Sequence, residues 1–336
     1  MRAVQFHSAH DVRLSEVPDP TPGPGEILVR VRAVSICPSD WRLYHYGHAG
    51  GVIPDHPIIQ GHEFSGDVVA LGDGVASPAL GTRVAVEPSW YCGKCDMCLR
   101  GLTNVCRHQV FPSFPPHDGA LAELIACPAY ATYPLPDEAS YIEGALVEPL
   151  GVALHALEMA APPPNARLLT LGAGLIGYCA VRVAQLRGFT SIAAVEPVDG
   201  RREFVHRLGA DPALASAQEL LDAGFEADVV IECAGEAQAV EDALELAVPE
   251  GRVVVVGIPH PERLCFEANV PRRKELTVIF SRRSRENLAE CVQLLSSGQV
   301  DLKSIPIRTF TLEQVAEAMD ATAERPGDML RALVLP

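Results

Sequence analysis

The sequence predicts an α/β protein in two parts: a β-rich first part of short strands, then a doubly wound parallel sheet. Three observations predict it. Up to about residue 130, apolar and polar residues alternate at period two, and Gly and Pro punctuate closely. Beyond residue 166, short apolar runs alternate with amphipathic helical stretches, the pattern of βαβ crossovers. The length of 336 residues leaves room for two cores at about 150 residues each.

In chain order, GEILVRVRAVSIC (25–37) reads as a strand and FSGDVVALGDG (64–74) as a second, ending in a turn. Short, closely spaced strands of this kind build small barrels. LGVALHALEMA (150–160) reads as a helix after Pro149, and APPPNA (161–166) breaks it. RLLTLG, SIAAVE, ADVVIECAG and GRVVVVGI then read as strands. The helices LIGYCAVRVAQLRG, RREFVHRLG and AQAVEDALELAV separate them. The expected division is 1–148 for the first domain, with a cysteine lobe at about 90–107, and 149–289 for the second. Residues 290–336 form a tail of one helix and short strands.

Lys and Arg number 27 against 43 Asp and Glu, a net charge of −16. Such a mean field repels phosphate backbones and acidic lipid, so neither nucleic acid nor a membrane surface is an expected partner. No apolar leader follows MRAVQF, and no run of about 18 apolar residues could span a bilayer. A cytoplasmic location is therefore expected. In that setting the 10 cysteines suggest metal or reactive thiols before disulfides.

Gly172, Gly174 and Gly177 form Gly-x-Gly-x-x-Gly between a predicted strand and a predicted helix. Gly172 permits the tight turn, Gly174 lets backbone approach a pyrophosphate, and Gly177 lets helix pack on strand. The helix start, with Leu175 and Ile176, offers N–H groups to phosphates. Glu196 lies 19 residues after Gly177, where an acid is expected on the ribose hydroxyls. This favours NAD, because a 2′-phosphate about 4 Å from a carboxylate costs roughly 1–4 kcal/mol. Arg201 and Arg202 pull the other way if they turn toward a phosphate; otherwise they form a solvated helix face.

Cys92, Cys95, Cys98 and Cys106 read C-x2-C-x2-C-x7-C. Four thiolates so close together can wrap one tetrahedral Zn(II), with an iron–sulfur cluster as the rival. A closed four-Cys site has no open position, so its role is structural. Cys37, the His62-Glu63 pair and Glu148 form a more dispersed set. One Cys, one His and a carboxylate or two leave zinc a position for water or substrate. Spacing alone does not join them: a Cys at a strand end commonly packs, and a His-Glu pair commonly faces solvent.

Taken in order, GHEFSG, the four-Cys lobe, EPLGVALHA and LGAGLIG resemble the zinc-containing medium-chain dehydrogenase/reductases, in their polyol (sorbitol-type) and threonine dehydrogenase branch. The resemblance implies a GroES-like β-barrel catalytic domain joined to a Rossmann domain, with the tail returning to the barrel. It further implies that Cys37 and His62 hold a catalytic zinc, with Glu148 and Glu63 ligating or standing beside it. Ser39 takes the hydroxyl position of the proton relay, and Asp40 follows as in the family pattern. Ala234, Gly235, Val256 and Gly257 fall at strand ends lining the nicotinamide, and Arg283 falls near a substrate-facing arginine, although that Arg-rich run also reads as surface. Two departures stand out: Pro38 replaces the usual glycine, and Arg42 stands where many members have the histidine that ends the relay. Arginine cannot act as a base near neutral pH, so protons would leave through Ser39 and water, Glu148 or His45.

The function so implied is an NAD-dependent oxidation of a secondary alcohol, a polyol, sugar-like or amino alcohol, to a ketone, with two Zn(II) per chain in a homodimer or homotetramer. A same-fold reductase of aldehydes or enones and a catalytically silent NAD- or zinc-binding protein are the alternatives. The loops 44–51 and 111–118 are expected to shape the substrate pocket.

Overall fold

A computed structural model describes residues 1–48, 53–259, 263–324 and 326–336. The chain divides into two units, residues 1–148 with 284–336, and residues 149–283.

Strand Glu26–Ser35 organises the first unit. Ile27, Val29, Val31 and Ala33 are buried while Arg30 and Arg32 are exposed, the period-two pattern of a sheet with one covered face. The alternation stops at Val34 and Ser35, both buried, where the strand enters the interior. Glu63–Leu71 pairs with it antiparallel, with Ser35 opposite Glu63 and Val34 opposite Phe64. Cys37 lies just past the end of one strand and His62 just before the start of the other. This register therefore brings both to the same edge of the sheet. The seven-stranded sheet also takes Arg331–Val334, which pairs with Glu26–Ser35 on its other side and sets Leu333 opposite Ser35. Val31, Phe64, Val84, Leu121, Met319 and Val334 belong to the core beneath.

The return into this unit begins at Ser284, ahead of the expected 290. Four side-chain hydrogen bonds account for it. Ser284 Oγ donates to Glu87 at 2.6 Å and Arg285 Nε to Asn104 at 2.9 Å. Glu286 accepts from Tyr91 Oη at 2.6 Å and Thr103 Oγ1 at 3.0 Å.

The second unit is a six-stranded parallel sheet. Its spatial order is Ala213–Leu214, Ser191–Val195, Arg167–Leu171, Ala227–Glu232, Ala247–Val255, Thr277–Phe280. In chain order within the unit this is 3-2-1-4-5-6, so the order in which the parallel strands are laid down reverses between Arg167–Leu171 and Ala227–Glu232. Ligands bind at the carboxyl ends of strands at such a switch point. Leu169, Val195, Val230, Leu244 and Val253 lie in its core.

One helix differs from expectation. Tyr141–Ala160 starts nine residues ahead of Leu150 and carries Pro149 in its interior. Glu148 therefore cannot cap a helix near Leu150; it is an interior residue, buried at 5 % exposure. Proline lacks one i→i−4 hydrogen bond, but the buried apolar run Ala145–Val147, Leu150, Ala153 and Leu154 packs on both sides and carries the helix through. Of the loop 44–51, residues 49–51 lie outside the described residues; Tyr44 to Tyr46 close the helix Pro38–Tyr46. No described helix is long and apolar enough to cross a membrane.

Candidate active site

In the first unit, donor atoms of Cys37, His62 and Glu63 all lie within 4.8 Å of one another. Cys37 is the N-cap of the helix Pro38–Tyr46, with extended backbone, and Pro38 occupies the first turn. Proline's fixed φ and missing N–H suit that position, which explains its tolerance here. Asp40 is fully buried; its Oδ2 accepts the Cys37 N–H at 3.0 Å, and its Oδ1 stands 3.5 Å from His62 Nδ1. Asp40 and Cys37 thus both act on the imidazole. Burial opposes a charge on His62, yet Asp40 and Cys37 hold its pKa well above the usual range.

Glu63 accepts from Ser35 Oγ and lies 3.7 Å from Arg331. Arg331, 5 % exposed, also donates to the Ile36 carbonyl at 2.8 Å. Glu148 is not one of the three clustered donors, but Glu63, His62, Glu87 and Arg331 all act on its charge. Burial, reinforced by Glu63, raises the Glu148 pKa to about 8. Burial and Glu63 likewise push the Cys37 thiol up. Two carboxyls and a thiol are thus crowded out of water, a donor set that a divalent cation fits by offsetting their repulsion. Ser39 and Arg42 are both buried, on the first and second turns of the same helix. His45, further along, is exposed and packs edge-on against His10 and Trp41.

The four-Cys lobe is built differently. Its sulfurs stand 3.9 Å (Cys92–Cys98), 3.5 Å (Cys95–Cys98) and 3.8 Å (Cys95–Cys106) apart. Tetrahedral zinc with bonds of about 2.3 Å needs sulfurs about 3.8 Å apart. Gly93 and Gly101 adopt φ of 69° and 73°, the left-handed turns that reverse the chain between ligands. Cys106 Sγ accepts the N–H of Cys92 at 3.4 Å and of His108 at 3.3 Å. Backbone donors, chiefly the N–H of Cys98, hold Cys95 at about 6, while burial and the adjoining thiols push Cys98 to about 12. Four sulfurs this close become four thiolates only around a cation, so the lobe fits the metal.

In the second unit, Gly172 has φ of 98°, and a Cβ there would meet the Ala234 backbone at 3.0 Å. A Cβ on Gly177 would meet the Gly172 carbonyl at 2.1 Å, whereas one on Gly174 would meet nothing within 4 Å. The turn is closed toward the sheet and open at Gly174, as a phosphate cradle requires. Leu175 and Ile176 open the helix Leu175–Leu186 directly after it. Glu196 accepts the N–H of Ala173 at 2.8 Å and of Val198 at 3.0 Å, which fixes the carboxylate beside the turn. Arg202 bonds the Glu196 carbonyl and Asp199. Arg283 is the last residue of this unit, with φ of 57°.

Residues 23–137 match the alcohol dehydrogenase GroES-like domain family, and residues 176–297 match the zinc-binding dehydrogenase family. The chain is 30 % identical to the sorbitol dehydrogenase of Bacillus subtilis, over 100 % of this chain and 97 % of that one. It is 34 % identical to a probable D-xylulose reductase A of Neosartorya fischeri, over 88 % and 86 % of the two chains. The chain belongs to the zinc-containing medium-chain dehydrogenases of the polyol branch. An alcohol dehydrogenase from Escherichia coli CFT073, complexed with NADH, shares 27 % identity and a TM-score of 0.91 with it, over 100 % and 99 % of the chains. A putative zinc-binding dehydrogenase from Sinorhizobium meliloti, bound to NADP, shares 29 % and 0.89 over the same coverage.

For this medium-chain dehydrogenase, several polar groups of consequence escaped the sequence reading. Glu232, 0 % exposed, ends strand Ala227–Glu232. Its Oε1 accepts the Gly235 N–H at 2.7 Å, and its carbonyl accepts the Val256 N–H at 2.8 Å. A Cβ on Gly257 would meet the Gly235 nitrogen at 2.4 Å, so Ala234–Gly235 and Val256–Gly257 are packed as one platform around this carboxylate. The only signal in sequence is an acid closing the apolar run Val229–Ile231. Arg331, Gln60 and Ser113 gave no signal at all.

Proposed function

We propose that this dehydrogenase oxidises a secondary alcohol of a polyol, sugar-like or amino alcohol with NAD, and holds two Zn(II) per chain. The supporting observation is the mixed donor group of Cys37, His62 and Glu63, with Glu148 buried beside it. Bound zinc supplies Lewis acidity toward a hydroxyl oxygen, and bound NAD accepts the hydride. Cys37, His62 and one or both carboxylates hold the catalytic zinc, and Cys92, Cys95, Cys98 and Cys106 hold the structural one. Asp40 orients His62. Ser39 passes the hydroxyl proton onward, and Arg42, which stays protonated, holds no part of that transfer as a base. A carboxylate in place of a second thiolate makes the site harder and suits chelation by adjacent oxygens, so vicinal diols are the expected substrates. Arg283 belongs to this reading as a substrate contact, with Gly172, Gly174, Leu175, Ile176, Gly177, Ala234, Gly235, Val256 and Gly257 on the cofactor. Assembly as a homodimer or homotetramer in the cytoplasm completes it.

Glu196 selects NAD by opposing a 2′-phosphate, and Arg201 lies close in sequence to pair with one when the acid is removed. Initial rates at 340 nm with a panel of polyols and simple alcohols, with NAD and with NADP, test the reading. The expected result is faster turnover of diols and an NAD preference of about a hundredfold, roughly 3 kcal/mol, that Glu196→Ser relaxes. Equal efficiency with NADP, or a preference for simple primary alcohols, overturns it.

A further inference from the structure

Segment 111–119 carries a serine whose position no sequence pattern explains. Ser113 is completely buried and adopts φ of 83°, the left-handed region where a side chain is disfavoured. Strain of this kind persists only where surrounding contacts enforce it. Two contacts do so. Ser113 Oγ donates to Asp40 Oδ1 at 2.8 Å and accepts the Gly61 N–H at 3.0 Å. Gly61 immediately precedes His62, while Asp40 holds the Cys37 N–H through its other oxygen. One hydroxyl therefore closes a ring through both ligand-bearing segments, reaching across 73 residues to one and 52 to the other.

The rest of the segment acts in the same place. The Phe111 ring lies 4.9 Å from the His62 ring, centroid to centroid. Asp118 accepts the Ile59 N–H at 2.9 Å, and the Gly119 N–H donates to the Ile59 carbonyl at 2.7 Å. Gln60 Nε2 adds a bond to the Asp40 carbonyl at 2.9 Å. Gly61 itself has no room for a side chain, since a Cβ there would meet Val34 at 2.9 Å.

We infer that Ser113 is a positioning residue of the dehydrogenase: its hydroxyl fixes the Asp40 carboxylate and the Gly61 peptide, and so holds His62 and Cys37 at the spacing the catalytic metal requires. Left to rotate, the Asp40 carboxylate would release either the Cys37 N–H or the His62 ring. Partners that orient metal ligands are commonly worth about 10–100-fold in metal affinity. The inference rests on the metal reading of Cys37 and His62.

The test uses Ser113→Gly and Ser113→Ala on the zinc-loaded full-length protein. Both lose the hydroxyl, but only glycine relieves the left-handed backbone. Release of zinc to a chelator is followed in time, and the phase belonging to the catalytic site is the one that Cys37→Ser removes. Both variants are expected to release that zinc about tenfold faster or more, with the four-Cys phase unchanged. Ser113→Gly should do so with a thermal midpoint at or above wild type, which separates loosened ligation from loss of fold. Wild-type release from Ser113→Gly overturns the inference and makes Ser113 a loop residue only. A wild-type protein with no phase sensitive to Cys37→Ser overturns the metal reading, and the inference with it.

Discussion

The four-Cys lobe and the Cys37–His62–Glu63 group both suit a metal, yet they are assembled by opposite means. The lobe collects its sulfurs from 15 consecutive residues, turned by two left-handed glycines and steadied by backbone N–H groups. Of residues 92–106 only Cys106 is a buried apolar side chain, while Leu99 and Val105 are exposed, so a bound cation would contribute directly to its folding. The other group takes its donors from a helix cap and a strand start, and it is aligned by the register that sets Ser35 opposite Glu63. There the donors sit in a frame fixed by Asp40, Ser35 and Arg331. On the proposed reading, the lobe would depend on a metal for its structure, and the second group on the structure for its metal.

That contrast can be broken by mutation, with turnover as the yardstick. Cys37→Ser carries the largest expected effect: a loss of about a thousandfold, roughly 4 kcal/mol of barrier, with one zinc missing by metal analysis and a nearly unchanged thermal midpoint. A variant that loses its fold along with its activity would place Cys37 on the lobe's side of the comparison. Glu148→Ala comes next. Turnover on diols should fall roughly 10–100-fold while NAD affinity holds, since the dinucleotide turn lies in the other unit. A lowered midpoint with normal turnover would make Glu148 a packing residue of its helix. Cys106→Ser should move turnover least and stability most, by roughly 3 kcal/mol in chemical denaturation, because three sulfurs hold the lobe poorly. Full stability after loss of that zinc would erase the distinction between the two sites.

The same contrast explains what could be read from sequence. Chemistry set by near neighbours was legible: the cysteine spacing, the Gly172–Gly177 turn, and the apolar strand runs that became a parallel sheet. Cys37, His62 and Glu148 emerged only through likeness to a family, because a register between strands leaves no mark in either strand alone. Ser113, Glu232 and Arg331 stayed hidden for a related reason. Each is an ordinary polar residue whose importance comes from burial among the partners the fold gives it, and burial is a property of the folded neighbourhood. Pro149 misled in the other direction: it reads as a helix boundary, but apolar packing on both sides outweighed its missing hydrogen bond.

The strand Arg331–Val334 gives the molecule a constraint on its own synthesis. Arg331 reaches back 295 residues to the Ile36 carbonyl, and Val334 pairs with Val34 at the edge that carries Cys37. A ribosome thus delivers both metal-ligand segments long before the strand that completes their sheet. Until then the Val34–Ser35 end of the Glu26–Ser35 strand has an open edge, since Leu124–Pro128 covers only Glu26–Arg30, and Glu63 lacks Arg331. Contacts of such high sequence separation slow folding and leave sheet edges available for wrong pairing. The edge that carries Cys37 is therefore completed only by the last residues of the chain.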